Sequence, residues 1–399
     1  MDDSHILDWI EAQKSSMARL TQEWADINSH SLNLSGLKKI SQKIQAAFKI
    51  FNEKIELWDL PPAEKVNSAG RIEKVPLGKA IYLRKRPRAK RQVLLICHMD
   101  TVYGEDHLPR KAFLKNKNTL VGPGAADPKG GMVVLLKALE AFEKSSVKNQ
   151  LGWQIFINPD EEIGSPGSCK FLKKLASQSS MALVYEPCLA NGHLIGERKG
   201  SGNFTLVVRG RSAHAGRDFH LGRSAVYALA RCIVEIHSLN RHGGLTINAG
   251  QVEGGKAVNV VPDLALARFN IRVKKIDQQK SVLKMIDQVL KRIAEKEGVT
   301  IKRYGKFSAP PKPLDPKSLH LFKAIKKCAR ELGFDLNWEP SGGVCDGNRL
   351  AALGLPTIDT LGAQGGHLHS GREYLLVKSL TQRASLSYLF LQKFAQGKI

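Results

Sequence analysis

The chain has 399 residues, carries 61 Lys and Arg against 37 Asp and Glu for a formal net charge of +24, and is 42% hydrophobic. That length exceeds one ordinary core, so two domains are expected, in a composition typical of soluble globular proteins. No apolar run approaches the roughly 20 residues needed to cross a bilayer, which argues against a membrane protein.

The N-terminal stretch MDDSHILDWIEAQKSSM is acidic and then amphipathic. It has neither the basic start nor the continuous apolar stretch of a secretory signal. Six cysteines are scattered without a CxxC pair. This fits reduced thiols in a cytoplasmic protein better than a disulfide framework or a cysteine-rich zinc site. Residues 5–27 and 36–51 carry helical periodicity, with Ile6, Trp9 and Ile10 on one face. The densest basic patch, RKRPRAKR at 84–91, has six basic residues in eight and could grip phosphates. The preferred reading is a solvated approach to the strand VLLIC, because no aromatic stripe, zinc finger or RNP-like motif accompanies it. Nucleic-acid association is therefore only a distant alternative.

Strand and helix then alternate. RQVLLICHMDTV reads as a buried strand ending in polar residues, and GGMVVLLKALEAFEK as a helix with Met132, Leu135, Leu136, Leu139 and Phe142 on one stripe. WQIFI is the next strand, SPGSCKFLKKLA starts a helix, and MALVYEP is another buried strand. The pattern predicts an α/β fold with a mainly parallel sheet flanked by helices. After about residue 199 the order becomes β-α-β-β-α-β, the ferredoxin-like unit. Pro-rich SAPPKPLDP, residues 308–316, marks the return to α/β texture. The expected organisation is a catalytic domain from 1–199 and 311–399, interrupted by an inserted α+β domain at 200–310.

The segment INPDEEIGS, 157–165, sets Asp160, Glu161 and Glu162 side by side at the end of a buried strand. Crowded anions resist ionisation unless a cation sits among them. Other metal-capable residues also lie at or past strand ends, where open α/β sheets bind ligands. His98 and Asp100 follow VLLIC, Asp127 lies in GPGAADPKGG, Glu186 follows MALVY, and His369 lies in GGHLHSGREY. In His98-Met-Asp100 the carboxylate can hold one ring nitrogen and aim the other at a metal. Two histidines and three carboxylates suit a pair of zinc-like ions about 3.5–4 Å apart that share one carboxylate. Neighbours in an extended chain point opposite ways, so Glu162 is expected to face a metal while Glu161 faces the attacking water as general base.

HMDTV at His98, GPGAADPKGG, DEEIG and YEP at Glu186 occur in the order found in the zinc aminoacylase/carboxypeptidase family, which they resemble over nearly the whole chain. That family includes glutamate carboxypeptidase, acetylornithine deacetylase and succinyl-diaminopimelate desuccinylase. The resemblance implies a zinc-peptidase-like catalytic domain with a ferredoxin-like lid that often dimerises. It further implies that Asp127 bridges two Zn2+ ions (Co2+ or Mn2+ being possible), with His98 and Glu186 completing one site and Glu162 and His369 the other. Glu161 would be the base, Asp100 would orient His98, and His369 is preferred to His367 because the family's last ligand precedes a small residue and a charged turn, as in HSGRE here. A cis peptide tends to follow the bridging aspartate, and Pro128 lowers the cost of such a bond to about 0.5–1 kcal/mol.

From the lid, the resemblance implies that His214 in RGRSAHAG polarises the scissile carbonyl, sometimes in a neighbouring subunit. Asn259 and Arg272 would bind substrate oxygens, an arginine fork suiting a free carboxylate. Gly343, in SGGVCDGNRL with Gly342 and Asp346, would lie on the substrate-carboxylate side, with Val344 and Cys345 departing from the usual small or polar residues. The expected function is a cytoplasmic di-zinc hydrolase, most like a glutamate carboxypeptidase, acting on small peptides. Removal of N-acyl groups from amino acids is the alternative.

Overall fold

The computed structural model describes residues 3–241 and 244–399. Five strands in chain order, β1 (Glu56–Trp58), β2 (Ala80–Lys85), β3 (Arg91–His98), β4 (Leu151–Asn158) and β5 (Met181–Val184), build the main sheet with a late strand, Thr357–Ile358. Their order is β1-β2-β4-β3-β5 followed by Thr357–Ile358. Strand β3 runs parallel to both β4 and β5, and the late strand runs parallel to β5, while β2 is antiparallel to both β1 and β4. The apolar runs of β3, β4 and β5 are continuous because both sheet faces are covered. On one face Leu83, Val93, Leu95, Ile155 and Ile157 share a core with the helices Gly131–Lys144 and Val377–Ala395, and on the other Leu94, Ile96, Phe156 and Val184 meet Leu172, Leu175 and Leu350.

The first helical region is two helices, Asp3–Ala12 and Lys14–Ala25, rather than one through 5–27. At the junction the Gln13 amide donates to Ile10 O at 3.0 Å, three residues back, which tightens the turn. Lys85 and Arg86 of the basic patch pair with Glu53 and Glu143, and Arg91 bonds the Ala395 carbonyl at 3.2 Å. Part of the patch thus braces the end of β2. The six cysteines are free, and among the described residues no helix is long and apolar enough to cross a membrane.

A second sheet follows, made of β6 (Gly200–Arg209), β7 (Thr246–Gly254), β8 (Leu264–Val273) and β9 (Thr300–Ala309), in the order β7-β8-β6-β9 and antiparallel throughout. Helices Ala225–Ser238 and Asp277–Glu297 cover one face, where Phe204, Leu206 and Val208 pack with Leu229, Ile236, Ile286 and Leu290. This is the ferredoxin-like order. On the opposite face Val207 and Leu266 pack against Val66, from a hairpin of Ala63–Val66 and Ile72–Val75 in the first part of the chain. The chain leaves and re-enters the first part side by side. Arg198 and Lys312 exchange both backbone bonds, at 2.9 and 3.0 Å, and Asp359 accepts from both side chains.

Candidate metal centre and active site

His98 is the last residue of β3 and lies beside Asn158, the last of β4. Its Nδ1 is 3.1 Å from the backbone oxygen of Asp100 and 3.3 Å from the Asp100 carboxylate. Those acceptors hold the proton on Nδ1 and leave Nε2 as a lone-pair donor. Nε2 lies 3.1 Å from Asp127 Oδ1 and 3.6 Å from Glu186 Oε2.

Asp127 sits in a tight turn, Ala125–Gly130, entered through Gly124 at φ +72°. The Asp127–Pro128 bond is cis. Its second carboxylate oxygen, Oδ2, is 3.5 Å from His369 Nε2, which is also 3.5 Å from Glu162 Oε2. One carboxylate therefore faces two nests, His98 with Glu186 and His369 with Glu162. His367 lies apart, its ring edge-on to Tyr374. His369 has φ +60°, a conformation costly for a side-chain-bearing residue and kept where neighbours over-determine it.

Do these residues fit metal ions? Glu162 Oε1 is buried with no hydrogen-bond partner. A stranded carboxylate oxygen is expensive unless something electropositive meets it. The donors are two imidazoles and three carboxylates, a set suited to zinc-like ions. Ligand atoms of His98, Asp127 and Glu162 lie within 4.8 Å of one another, as do those of His98, Glu161 and Glu186. The residues fit.

The electrostatics agree. Burial, reinforced by Glu186, raises the Glu161 pKa well above the carboxylate range, and burial pushes Glu162 up to about 7. Burial also raises Glu186. Burial opposes the charged form of His98, but Glu186, Asp100 and Asp127 outweigh it and hold its pKa well above the ordinary value. Bonds to Asp127 and Glu162 push His369 up to about 11. For Asp127, burial is outweighed by His369 and His98, and its pKa is lowered. Without cations, acids and imidazoles share protons where positive charge is demanded.

Glu161 groups with His98 and Glu186 and Glu162 with His98 and Asp127, on a turn rather than the extended alternation read in the sequence. Residues 161–164 form a turn in which Gly164 N donates to Glu161 O at 2.7 Å. The turn is oriented by Asp100, whose two carboxylate oxygens each accept one amide, from Glu161 and Glu162, both at 3.1 Å. Ser31 adds a bond to the same carboxylate at 2.7 Å. Asp100 thus touches His98 and both glutamates at once.

Sequence reasoning missed Glu373. Its carboxylate accepts the amides of Ala126 at 2.8 Å and Asp127 at 3.0 Å, and the Tyr103 hydroxyl. It lies four residues after His369, so it fixes the Asp127 turn relative to the C-terminal ligand segment. The only local signal was the single acid in HSGREY, four residues after His369. Glu373→Gln should weaken metal affinity by roughly 10–100-fold, the effect usual for residues that hold ligands in place. Titration with zinc against a competing chelator checks this, and unchanged affinity refutes it. Asp346, read with the glycine loop, is instead buried and accepts from Asn158 at 2.8 Å and Ser165 at 2.6 Å. It anchors the loop carrying the two glutamates.

The lid candidates stand apart from this cluster. His214 is exposed, and its Nδ1 accepts the amides of Gly216 at 3.1 Å and Arg217 at 3.2 Å, so its proton belongs on Nε2. Asn259 is next to it, its carbonyl accepting from Ala215 N at 2.9 Å. Among the described residues no hydrogen bond or ion pair joins either to the metal cluster. Arg272, on β8, bonds Asn270 at 2.9 Å and the carbonyl of Gly342. Burial lowers its pKa. Gly343 N donates to Ser341 Oγ at 3.1 Å, and a Cβ there would come within 3.5 Å of Arg198. Arg272 and the glycine loop therefore touch, whereas His214 and Asn259 form a separate pair.

Over 331 residues the chain is 25% identical to carboxypeptidase G2 from Pseudomonas sp. (strain RS-16), covering 81% of this chain and 78% of that protein. It is 25% identical over 300 residues to succinyl-diaminopimelate desuccinylase from Hahella chejuensis, covering 70% and 75%. The fold matches that of the dipeptidase Dug1p from Saccharomyces cerevisiae with a TM-score of 0.78 at 15% identity, over 99% of both chains. Residues 94–393, which include every candidate ligand, match peptidase family M20/M25/M40. The chain belongs to that family, and with it to the metallopeptidase and amidohydrolase enzymes.

Proposed function

We propose that the protein is a di-zinc hydrolase that cleaves an amide bond next to a free carboxylate, as a glutamate carboxypeptidase does. The observation that carries this is Asp127, with one oxygen toward His98 and Glu186 and the other toward His369 and Glu162. When bound, two divalent ions would polarise the scissile carbonyl and lower the pKa of water at the site. Glu161 takes the proton of the attacking water and hands it to the departing nitrogen. Asp100 holds His98 and the Glu161–Glu162 turn in register. His214, with Nε2–H free to donate, stabilises the developing oxyanion once the lid (residues 200–310) closes on the catalytic part (1–199 and 311–399). Asn259 binds a substrate oxygen, and Arg272 with the Gly343 loop holds the substrate carboxylate.

The lid helix Ala225–Ser238 exposes Val226, Tyr227 and Val234, the last at 70%, and β7 is an open edge strand. Both features suit a homodimer through the lid. Six free cysteines suit the cytoplasm.

A metal-loaded enzyme should be screened on peptides and N-acyl amino acids, each paired with its α-carboxamide. Cleavage of the acids with kcat/KM roughly 10–100-fold above the carboxamides is expected, the value of a charge-assisted pair. Equal rates would remove Arg272 from the reading. Preference for N-acyl amino acids over peptides would favour the deacylase alternative, which uses the same centre and is the activity named for the Hahella relative.

A further inference from the structure

Arg383, on the helix Val377–Ala395, is 2% exposed. Its Nη2 donates to the Gly192 carbonyl, while Nε and Nη1 are buried with no hydrogen-bond partner. Among the described residues no carboxylate pairs with it. A guanidinium cannot shed its charge by deprotonation, and a buried one without a counter-charge is strongly disfavoured. Ser387 is four residues on, hence on the same face of the helix. It is fully buried, and its hydroxyl lies beside Tyr185 without hydrogen-bond geometry to any partner.

The opposing wall is the stretch from Tyr185 to Gly192. Arg383 lies against the Cys188 sulfur there, a neutral and weak acceptor. The wall turns tightly, with Gly192 N bonded to Leu189 O at 2.7 Å and φ +86° at Gly192, where a Cβ would come within 3.4 Å of the guanidinium. Two guanidinium nitrogens, carrying three N–H groups, and one hydroxyl thus stand on a single helix face with no acceptor better than the Cys188 sulfur. Water could satisfy the donors but not the charge.

We propose that Arg383 and Ser387 form a buried site for a small monovalent inorganic anion of halide size, with chloride as its occupant. The site lies behind Glu186, whose backbone carbonyl accepts from Gly362 N at 2.8 Å, while Cys188 N bonds Ala363 O at 3.2 Å. The anion braces the segment that carries Glu186 and takes no part in the chemistry.

Crystals of the full chain grown in sodium bromide should show an anomalous peak between Arg383 and Ser387. In solution, Tm should be roughly 2 °C or more higher in sodium chloride than in sodium gluconate at equal ionic strength, for a site about ten-fold above its dissociation constant. Arg383→Met should abolish that difference, and if it does not fold, Ser387→Ala should reduce it. Water alone at that position in the bromide crystals, or equal Tm in the two salts for the unaltered protein, overturns the site.

Discussion

Glu161→Gln should retain its metal and lose roughly 10²–10⁴-fold in kcat at little-changed KM. Glutamine keeps the shape of the side chain but cannot accept a proton. The amide that ties Glu161 to Asp100 is backbone, so the substitution leaves the turn intact. Burial and Glu186 make the Glu161 carboxylate a stronger proton acceptor than an exposed glutamate. Paired measurements of elemental metal content and turnover separate the role of base from that of ligand. Near-normal turnover would eliminate Glu161 as the base, and loss of metal would make it a ligand, which its grouping with His98 and Glu186 makes the serious competitor.

Asp127→Ala should depopulate both metal positions together and bring activity to background. Each oxygen of Asp127 faces a different histidine, at 3.1 and 3.5 Å, so its removal strips a carboxylate oxygen from both nests at once. Glu186→Gln and Glu162→Gln should each weaken one position, leaving about one equivalent of metal. The loss in Asp127→Ala should exceed the roughly 10–100-fold seen for residues that merely orient ligands. Metal affinity in the unaltered protein should also rise with pH, because Glu162, at about 7, and His369, at about 11, must release protons to bind. Retention of one tightly held equivalent by Asp127→Ala would mean that the two nests are independent.

The candidate ligand cluster was legible because its residues follow continuous apolar runs or lie in unusual turns. His98 closes β3, Glu161 and Glu162 follow β4, and Glu186 follows β5. The second sheet was legible from its β-α-β-β-α-β order. What escaped were residues whose task depends on long-range folding. Glu373 is 246 positions from the Asp127 amide that it holds. Asp346 is 188 positions from Asn158. Neither has a local pattern, since an acid in a loop looks like surface charge until its donors are seen. The hairpin Ala63–Val66 and Ile72–Val75 was also missed, because its apolar residues find their partners on the second sheet.

The two crossings between the sheets lie against each other, zipped at Arg198 and Lys312 and riveted to Asp359. Such an attachment has little freedom to translate or shear, because two adjacent backbone strands must move as one. Rotation about the crossing is further restrained by the hairpin at Val66 and by the bond from Arg272 to the Gly342 carbonyl. If His214 acts on a substrate as proposed, its path is governed by where that crossing stands, and its distance from the crossing sets how far a small twist at Arg198 is magnified.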